Sequence, residues 1–213
     1  MELASHTDPG SLSAVVLSHM HVDHCSDIFG LYGYLAFGPS GTVPVPVYLP
    51  EGGAEHLAEF ARAGEEHVFN SVFDFTTVQP GDEVSIGATA LAFGRAVHPV
   101  PALATRVTAG GISLTYSGDT GPGSDLVALA RHADLLLCEA SLAGERDAAA
   151  YPYHLTAAEA GEAAAAASVD RLVVTHLVHT VDPATASVEA SATFGAPVEI
   201  AQPGAVFQIG ANE

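Results

Sequence analysis

Four potential metal ligands stand within six residues of this chain, in the run Ser18-His19-Met20-His21-Val22-Asp23-His24, directly after the apolar stretch Ala14-Val15-Val16-Leu17. If that stretch is a β-strand, His19 and His21 share one face while the backbone stays extended. Asp23 and His24 follow where the chain turns into the next element, so the two pairs need not serve the same ion. Two sets of ligands on one short loop suit two adjacent cations better than one. Imidazole and carboxylate are ligand types of zinc, manganese and iron rather than calcium.

Four later segments repeat the arrangement. Thr89–Val97 reads as a strand that delivers His98. Ile112–Tyr116 delivers Ser117-Gly118-Asp119-Thr120, Asp134–Leu137 leads to Cys138-Glu139-Ala140-Ser141, and Arg171–Val174 leads to Thr175-His176. Loops at strand ends, held by a rigid sheet, are where binding groups collect. Five strand-like runs ending on His, Asp or Glu predict that several strands converge on one site.

The remaining pattern is α/β. Helical spacing runs from Cys25 to Phe37, Glu51 to Ala63 and Ser124 to Arg131. Thr156-Ala157-Ala158-Glu159 is a capping-box signature opening an alanine-rich helix to Ala167, and Pro183 begins another helix. Further strands are expected at Val45–Leu49, Ser71–Val78, Val84–Ile86, Val198–Ala201 and Ala205–Ile209, with a glycine- and proline-rich loop over Gly38–Pro46. Residues 1–11 show no periodic element. With 213 residues and no linker-like stretch, the expectation is one domain over residues 1–213.

Charge limits the partners. The formal net charge is −19, with six arginines and no lysine. Large nucleic acids call for a broad positive footprint that this composition does not supply. Small anions remain compatible, because bound divalent ions reverse the local sign of a site. No stretch approaches the roughly 20 apolar residues of a membrane span, and the N-terminus lacks a signal-peptide pattern, so a cytoplasmic protein without a membrane partner is expected. Cys25 and Cys138 read as reduced, packed residues.

Taken together, His19, His21, Asp23 and His24, followed by His98, Asp119 and His176, resemble the metallo-β-lactamase superfamily in order and interval, from about Leu12 to Ile209. The resemblance implies an αββα sandwich with two divalent metal ions, zinc first and manganese or iron as alternatives. It places His19, His21 and His98 on one metal, Asp23, His24 and His176 on the other, and Asp119 between them. The stretches His98-Pro99-Val100-Pro101, SGDT at 117–120, CEAS at 138–141 and His154-Leu155-Thr156 are similar to the ribonuclease Z branch, and within it to compact phosphodiesterases, including those of cyclic nucleotides. Asp23, His154 and Glu139 are the implied catalytic residues, with His154 assisting the leaving group and Glu139 orienting it.

The expected activity is cleavage of a small phosphodiester by a metal-bridging hydroxide. The alternatives are a tRNA 3′-end endonuclease and a non-catalytic metal-binding remnant. Family members carry further strands and an aspartate-bearing turn before this loop, so the sequence reads as N-terminally truncated; an exposed sheet edge would then favour a homodimer. His6, His56, His67 and His132 read as bystanders, and so does His179, for which a place in the cleft beside His176 is the minority alternative.

Overall fold

A computed structural model describes residues 2–38, 44–61, 66–142, 144 and 152–210, without the side chains of residues 66–68. The middle of the loop expected over Gly38–Pro46, the end of the helix expected to reach Ala63 and the side chain of His67 lie outside the described residues. The chain forms two compact units, Met1–Gln79 and Pro80–Glu213.

The first unit holds a parallel sheet of β1 (Val15–Val16), β2 (Val45–Leu49) and β3 (Phe73–Thr77) in that order. Its helices are α1 (Val22–Cys25), α2 (Asp27–Phe37), α3 (Gly53–Phe60) and α4 (Glu66–Val72). Strand β2 alternates as its sequence does, burying Val45, Val47 and Leu49. These pack with Ile28, Leu31 and Leu35 of α2, which recur at helical spacing on one face.

Helix α4 is a departure from the expected strand at Ser71–Val78: Ser71 and Val72 finish a helix, and the strand starts at Phe73. Phe69 and Val72, three residues apart, both face the core, with Phe69 set 5.2 Å from the Phe73 ring. In place of one helix over Cys25–Phe37, the chain makes a first turn over Val22–Cys25 and then α2. The N-terminal segment, expected to be irregular, contains two short 3₁₀ turns, Glu2–Ser5 and Pro9–Ser11.

The second unit holds a seven-stranded sheet. Strands β4 (Glu83–Ile86), β5 (Thr89–Arg95), β6 (Leu103–Ala109) and β7 (Ile112–Tyr116) form an antiparallel meander; β8 (Leu135–Glu139), β9 (Leu172–Thr175) and β10 (Glu199–Ile200) continue it in parallel. Strand β6 was hidden in the sequence, where Leu103–Ala109 follows Pro99 and Pro101 and is rich in alanine and threonine. It pairs with β5 over seven residues and turns into β7 through Gly110 and Gly111, both at positive φ, as a two-residue hairpin requires. The expected strand at Ala205–Ile209 does not form. That segment is held instead by Arg171, which donates to the Gln208 carbonyl (3.1 Å) and lies over the Phe207 ring.

Helices α5 (Leu126–Leu129), α6 (Ala157–Ala167) and α7 (Pro183–Phe194) cover this sheet. The capping box of α6 forms as read: the Glu159 N–H donates to Thr156 Oγ1 (3.1 Å) and the Thr156 N–H to Glu159 Oε2 (2.9 Å). Gly161 lets α7 approach; a Cβ there would overlap Thr193 Oγ1 and the Ala190 carbonyl. Both cysteines are free and buried. No helix among the described residues is long and apolar enough to cross a membrane.

Two predictions follow from this packing. Gly161→Ala gains about 1 kcal/mol of helix propensity but overpacks the α6–α7 contact, for a net loss of about 1–2 kcal/mol in urea unfolding. Asp134 accepts from the Ser113 N–H (2.7 Å) and hydroxyl (3.0 Å), and these bonds hold its carboxyl below the usual carboxylate range. A depressed folded pKa stabilises above the unfolded value, about 3.9, and that contribution fades as pH falls through the lower folded pKa. Asp134→Asn should therefore unfold at lower urea than the parent at pH 7, with the gap narrowing in acid.

Candidate functional site

In the first unit, β1 runs into the ligand loop. His19 is fully buried, with Nδ1 3.2 Å from Ser18 Oγ and Nε2 3.1 Å from His21 Nδ1. Two nitrogens bound to one tetrahedral zinc at about 2.0–2.1 Å would stand roughly 3.3 Å apart, so this pair is spaced as ligands of a single ion. His21 keeps extended backbone (φ −67°, ψ 147°) as the residue capping α1. Asp23 falls in the first turn of α1, where the helix dipole favours a carboxylate, and its side chain is 69% exposed. His24 follows, with Nε2 3.6 Å from Asp23 Oδ2 and its ring centroid 4.2 Å from that of His19. Thus all four residues of the opening motif gather in one place. Burial first, and then the Asp23 charge, push the Cys25 thiol up from its ordinary value.

In the second unit, the ends of β5, β7, β8 and β9 supply the remaining residues. His98 follows β5, and its Nδ1 lies 3.3 Å from the Tyr153 carbonyl. A carbonyl only accepts, so Nδ1 donates and Nε2 keeps its lone pair. Asp119 follows β7 and is 3% exposed. His176 follows β9, with Nε2 3.6 Å from Asp119 Oδ2. Donor atoms of Asp119, His154 and His176 all lie within 4.8 Å of one another.

Glu139, at the end of β8, has no solvent exposure. Its Oε1 takes the Thr120 N–H (2.8 Å) and lies 2.9 Å from His154 Nδ1; its Oε2 takes the Ser141 N–H (3.0 Å) and hydroxyl (2.9 Å). The partnership expected between Glu139 and His154 is thus a direct hydrogen bond. Thr120 and Ser141 lay inside the SGDT and CEAS stretches without an assigned part. Hydroxyls at strand ends are common, and only the strand register shows that these two face Glu139.

Of the histidines set aside, His56 packs 5.5 Å from the Phe60 ring, and His6 and His132 are exposed. His179 is also exposed.

Comparison with known proteins decides the family. A family model described as a beta-lactamase superfamily domain matches residues 3–177. The chain belongs to the metallo-β-lactamase superfamily. It has the α/β fold of that superfamily, with two sheets flanked by helices, and is a metal-dependent hydrolase of it. The protein ML1173 of Mycobacterium leprae is 38% identical over 215 residues, covering 99% of this chain and 75% of that protein. YhfI of Bacillus subtilis, a probable metallo-hydrolase, is 28% identical over 200 residues, covering 92% of this chain and 79% of YhfI. The crystal structure of YhfI superposes with a TM-score of 0.83 at 27% identity, over 97% of this chain and 82% of that one. A ribonuclease Z of Salinispora arenicola is 28% identical over 212 residues, covering 78% of this chain and 68% of that enzyme.

The donor chemistry of both clusters fits the divalent metals of such hydrolases: imidazole nitrogens and a buried carboxylate, with the His98 ring oriented by the Tyr153 carbonyl. Glu139 carries the most hydrogen bonds of this set, so Glu139→Gln tests it. An amide NH₂ would face two of the donors now satisfied, and urea unfolding should show a loss of roughly 2–4 kcal/mol.

Proposed function

We propose that this metallo-β-lactamase-family protein is a phosphodiesterase for a small phosphodiester such as a cyclic nucleotide. The observation that carries the reading is the 2.9 Å hydrogen bond between His154 Nδ1 and the fully buried carboxylate of Glu139. Held through Nδ1–H, the ring in its imidazolium form presents Nε2–H as the group that gives a proton to the departing oxygen, leaving the neutral Nδ1–H imidazole bonded to Glu139. Glu139 fixes the orientation of that ring and does not itself meet the substrate.

On this reading His19, His21, Asp23, His24, His98, Asp119 and His176 are the ligands of two divalent ions, zinc first, as the superfamily resemblance implies. Such ions supply a nucleophile at neutral pH and offset charge on the phosphoryl oxygens. Asp23, on the first turn of α1, also orients the attacking water. The Tyr153 carbonyl orients His98 toward its ligand role.

The ribonuclease Z similarity favours a second reading, cleavage of precursor tRNA. The net charge of −19 argues for the smaller substrate.

Bis(p-nitrophenyl) phosphate, cyclic AMP and a precursor tRNA, offered to zinc- or manganese-loaded protein, separate these. The expected result is turnover of the small esters, abolished by chelation and restored by metal. His21→Ala should lose both bound metal and turnover, whereas His154→Ala should keep the metal and lose about 10²–10⁴-fold in kcat. Tight metal binding with no ester turnover would sink the phosphodiesterase reading. Cleavage of tRNA alone, weakening steeply with salt, would establish the second.

A further inference from the structure

We propose that Ser141 is a positioning residue for His176: its hydroxyl fixes which ring nitrogen of His176 carries hydrogen, so that one buried carboxylate sets both His154 and His176. The proposal rests on the metal-ligand part of the function above and not on its substrate.

The argument is a count of protons. Glu139 accepts at both oxygens, from Thr120 and His154 on Oε1 and from the amide and hydroxyl of Ser141 on Oε2. Four donors fill the acceptor sites of an ionised carboxylate, which has no hydrogen to give back. The Ser141 hydroxyl has one proton and three atoms that could take it: Glu139 Oε2 at 2.9 Å, the His176 carbonyl at 3.1 Å and a bare His176 Nδ1 at 2.7 Å. Spent on Nδ1, it would leave the lone pairs of Oγ and Oε2 facing each other at 2.9 Å with no hydrogen between them, so the proton stays on the carboxylate side.

Ser141 Oγ therefore turns a lone pair toward His176 Nδ1, 2.7 Å away. A bare Nδ1 would set two lone pairs against each other at that distance, so Nδ1 carries the hydrogen. The lone pair of the ring is left on Nε2, the atom 3.6 Å from Asp119 Oδ2. Ser141 Oγ also lies 3.3 Å from His154 Nδ1, but that nitrogen has its shorter bond, 2.9 Å, to Glu139.

Burial keeps water from substituting. Ser141 is 2% exposed and Glu139 fully buried. The backbone of His176 adds a second reason for a brace here. Its φ is +56°, a left-handed conformation that a side chain with a Cβ adopts only at a cost. The same hydroxyl reaches the ring and the carbonyl of this strained residue. The placement follows from the sheet: Glu139 pairs in register with Thr175 on the parallel neighbour, so Ser141 and His176, just beyond the two strand ends, meet.

Zinc-free parent and Ser141→Ala protein are compared by long-range ¹H–¹⁵N correlation of the histidine rings, and both are then titrated with zinc against a competing chelator. The parent should show His176 as a single Nδ1–H tautomer. Ser141→Ala should show a tautomer mixture at His176 and bind one of two zinc equivalents about 10–100-fold more weakly, with an unchanged far-ultraviolet circular dichroism spectrum. Ser141→Thr, which keeps the hydroxyl, should restore both readings. Ser141→Ala protein with the parent's His176 tautomer and zinc affinity would overturn the proposal. Neither measurement uses a phosphodiester, so failure of the phosphodiesterase reading is seen separately.

Discussion

The carboxylate of Glu139 ends strand β8 without solvent contact and accepts hydrogen bonds from Thr120, Ser141 and His154. An ionised group in that position is tolerable only because every lone pair is met; stripped of its donors it would cost several kcal/mol. That demand works in both directions. The donors stabilise the charge, and the charge dictates where each donor points. Thr120 belongs to the loop after β7 and Ser141 to the loop after β8, while His154 sits just ahead of α6. Three segments far apart in sequence are therefore ordered by one side chain.

The sheet makes this possible. Strands β7, β8 and β9 are consecutive parallel neighbours, so their carboxyl ends lie side by side, the place where open α/β sheets carry their ligands. Asp119, Glu139 and His176 stand at or just beyond those ends. The loop after β5 is tied to the same edge, because the Val97 N–H donates to Thr120 Oγ1 and the Gly121 N–H to the Val97 carbonyl. Thr120 thus links His98 through Val97 on one side and Glu139 through its own amide on the other. The antiparallel meander thus brings His98 to an edge otherwise built on parallel strands.

Much of this was legible in the sequence, for physical reasons that differ by residue. The capping box at Thr156 and the proline at 183 declare helix starts because their chemistry is local. The strand at Val45–Leu49 declares itself by strict alternation on a half-buried sheet. By contrast, α4 and β6 are written in residues whose local preference is weak. Phe69 and Val72 become a helical face only once the core is there to receive them, and Leu103–Ala109 becomes a strand because β5 and β7 flank it. The gathering of histidines and carboxylates was legible because such residues rarely cluster in sequence without cause. Ser141 was not, since a serine after a strand has many ordinary explanations and its meaning depends on which neighbour the register supplies. The missing strand at Ala205–Ile209 is the reverse case: the alternation was present, but beyond β10 the segment is captured by Arg171.

The fate of the arginines bears on the substrate. Arg95 donates to the Gly123 carbonyl and pairs with Asp125, Arg106 donates to the Leu129 and Arg131 carbonyls and to Ser113, and Arg171 donates to Glu199 and the Gln208 carbonyl. Each of these guanidiniums closes a turn or ties down a chain segment of its own unit. Withdrawing one to grip a phosphate would leave carbonyls or carboxylates without their donors. With six arginines, no lysine and a net charge of −19, the chain has little cationic surface to hold a polyanion along its length. A ligand whose charge is concentrated at one phosphodiester makes a smaller demand, which divalent cations, if held by the histidines and carboxylates, would meet locally. The charge balance and the use made of these arginines therefore favour the same substrate size, on grounds independent of the His154–Glu139 pair.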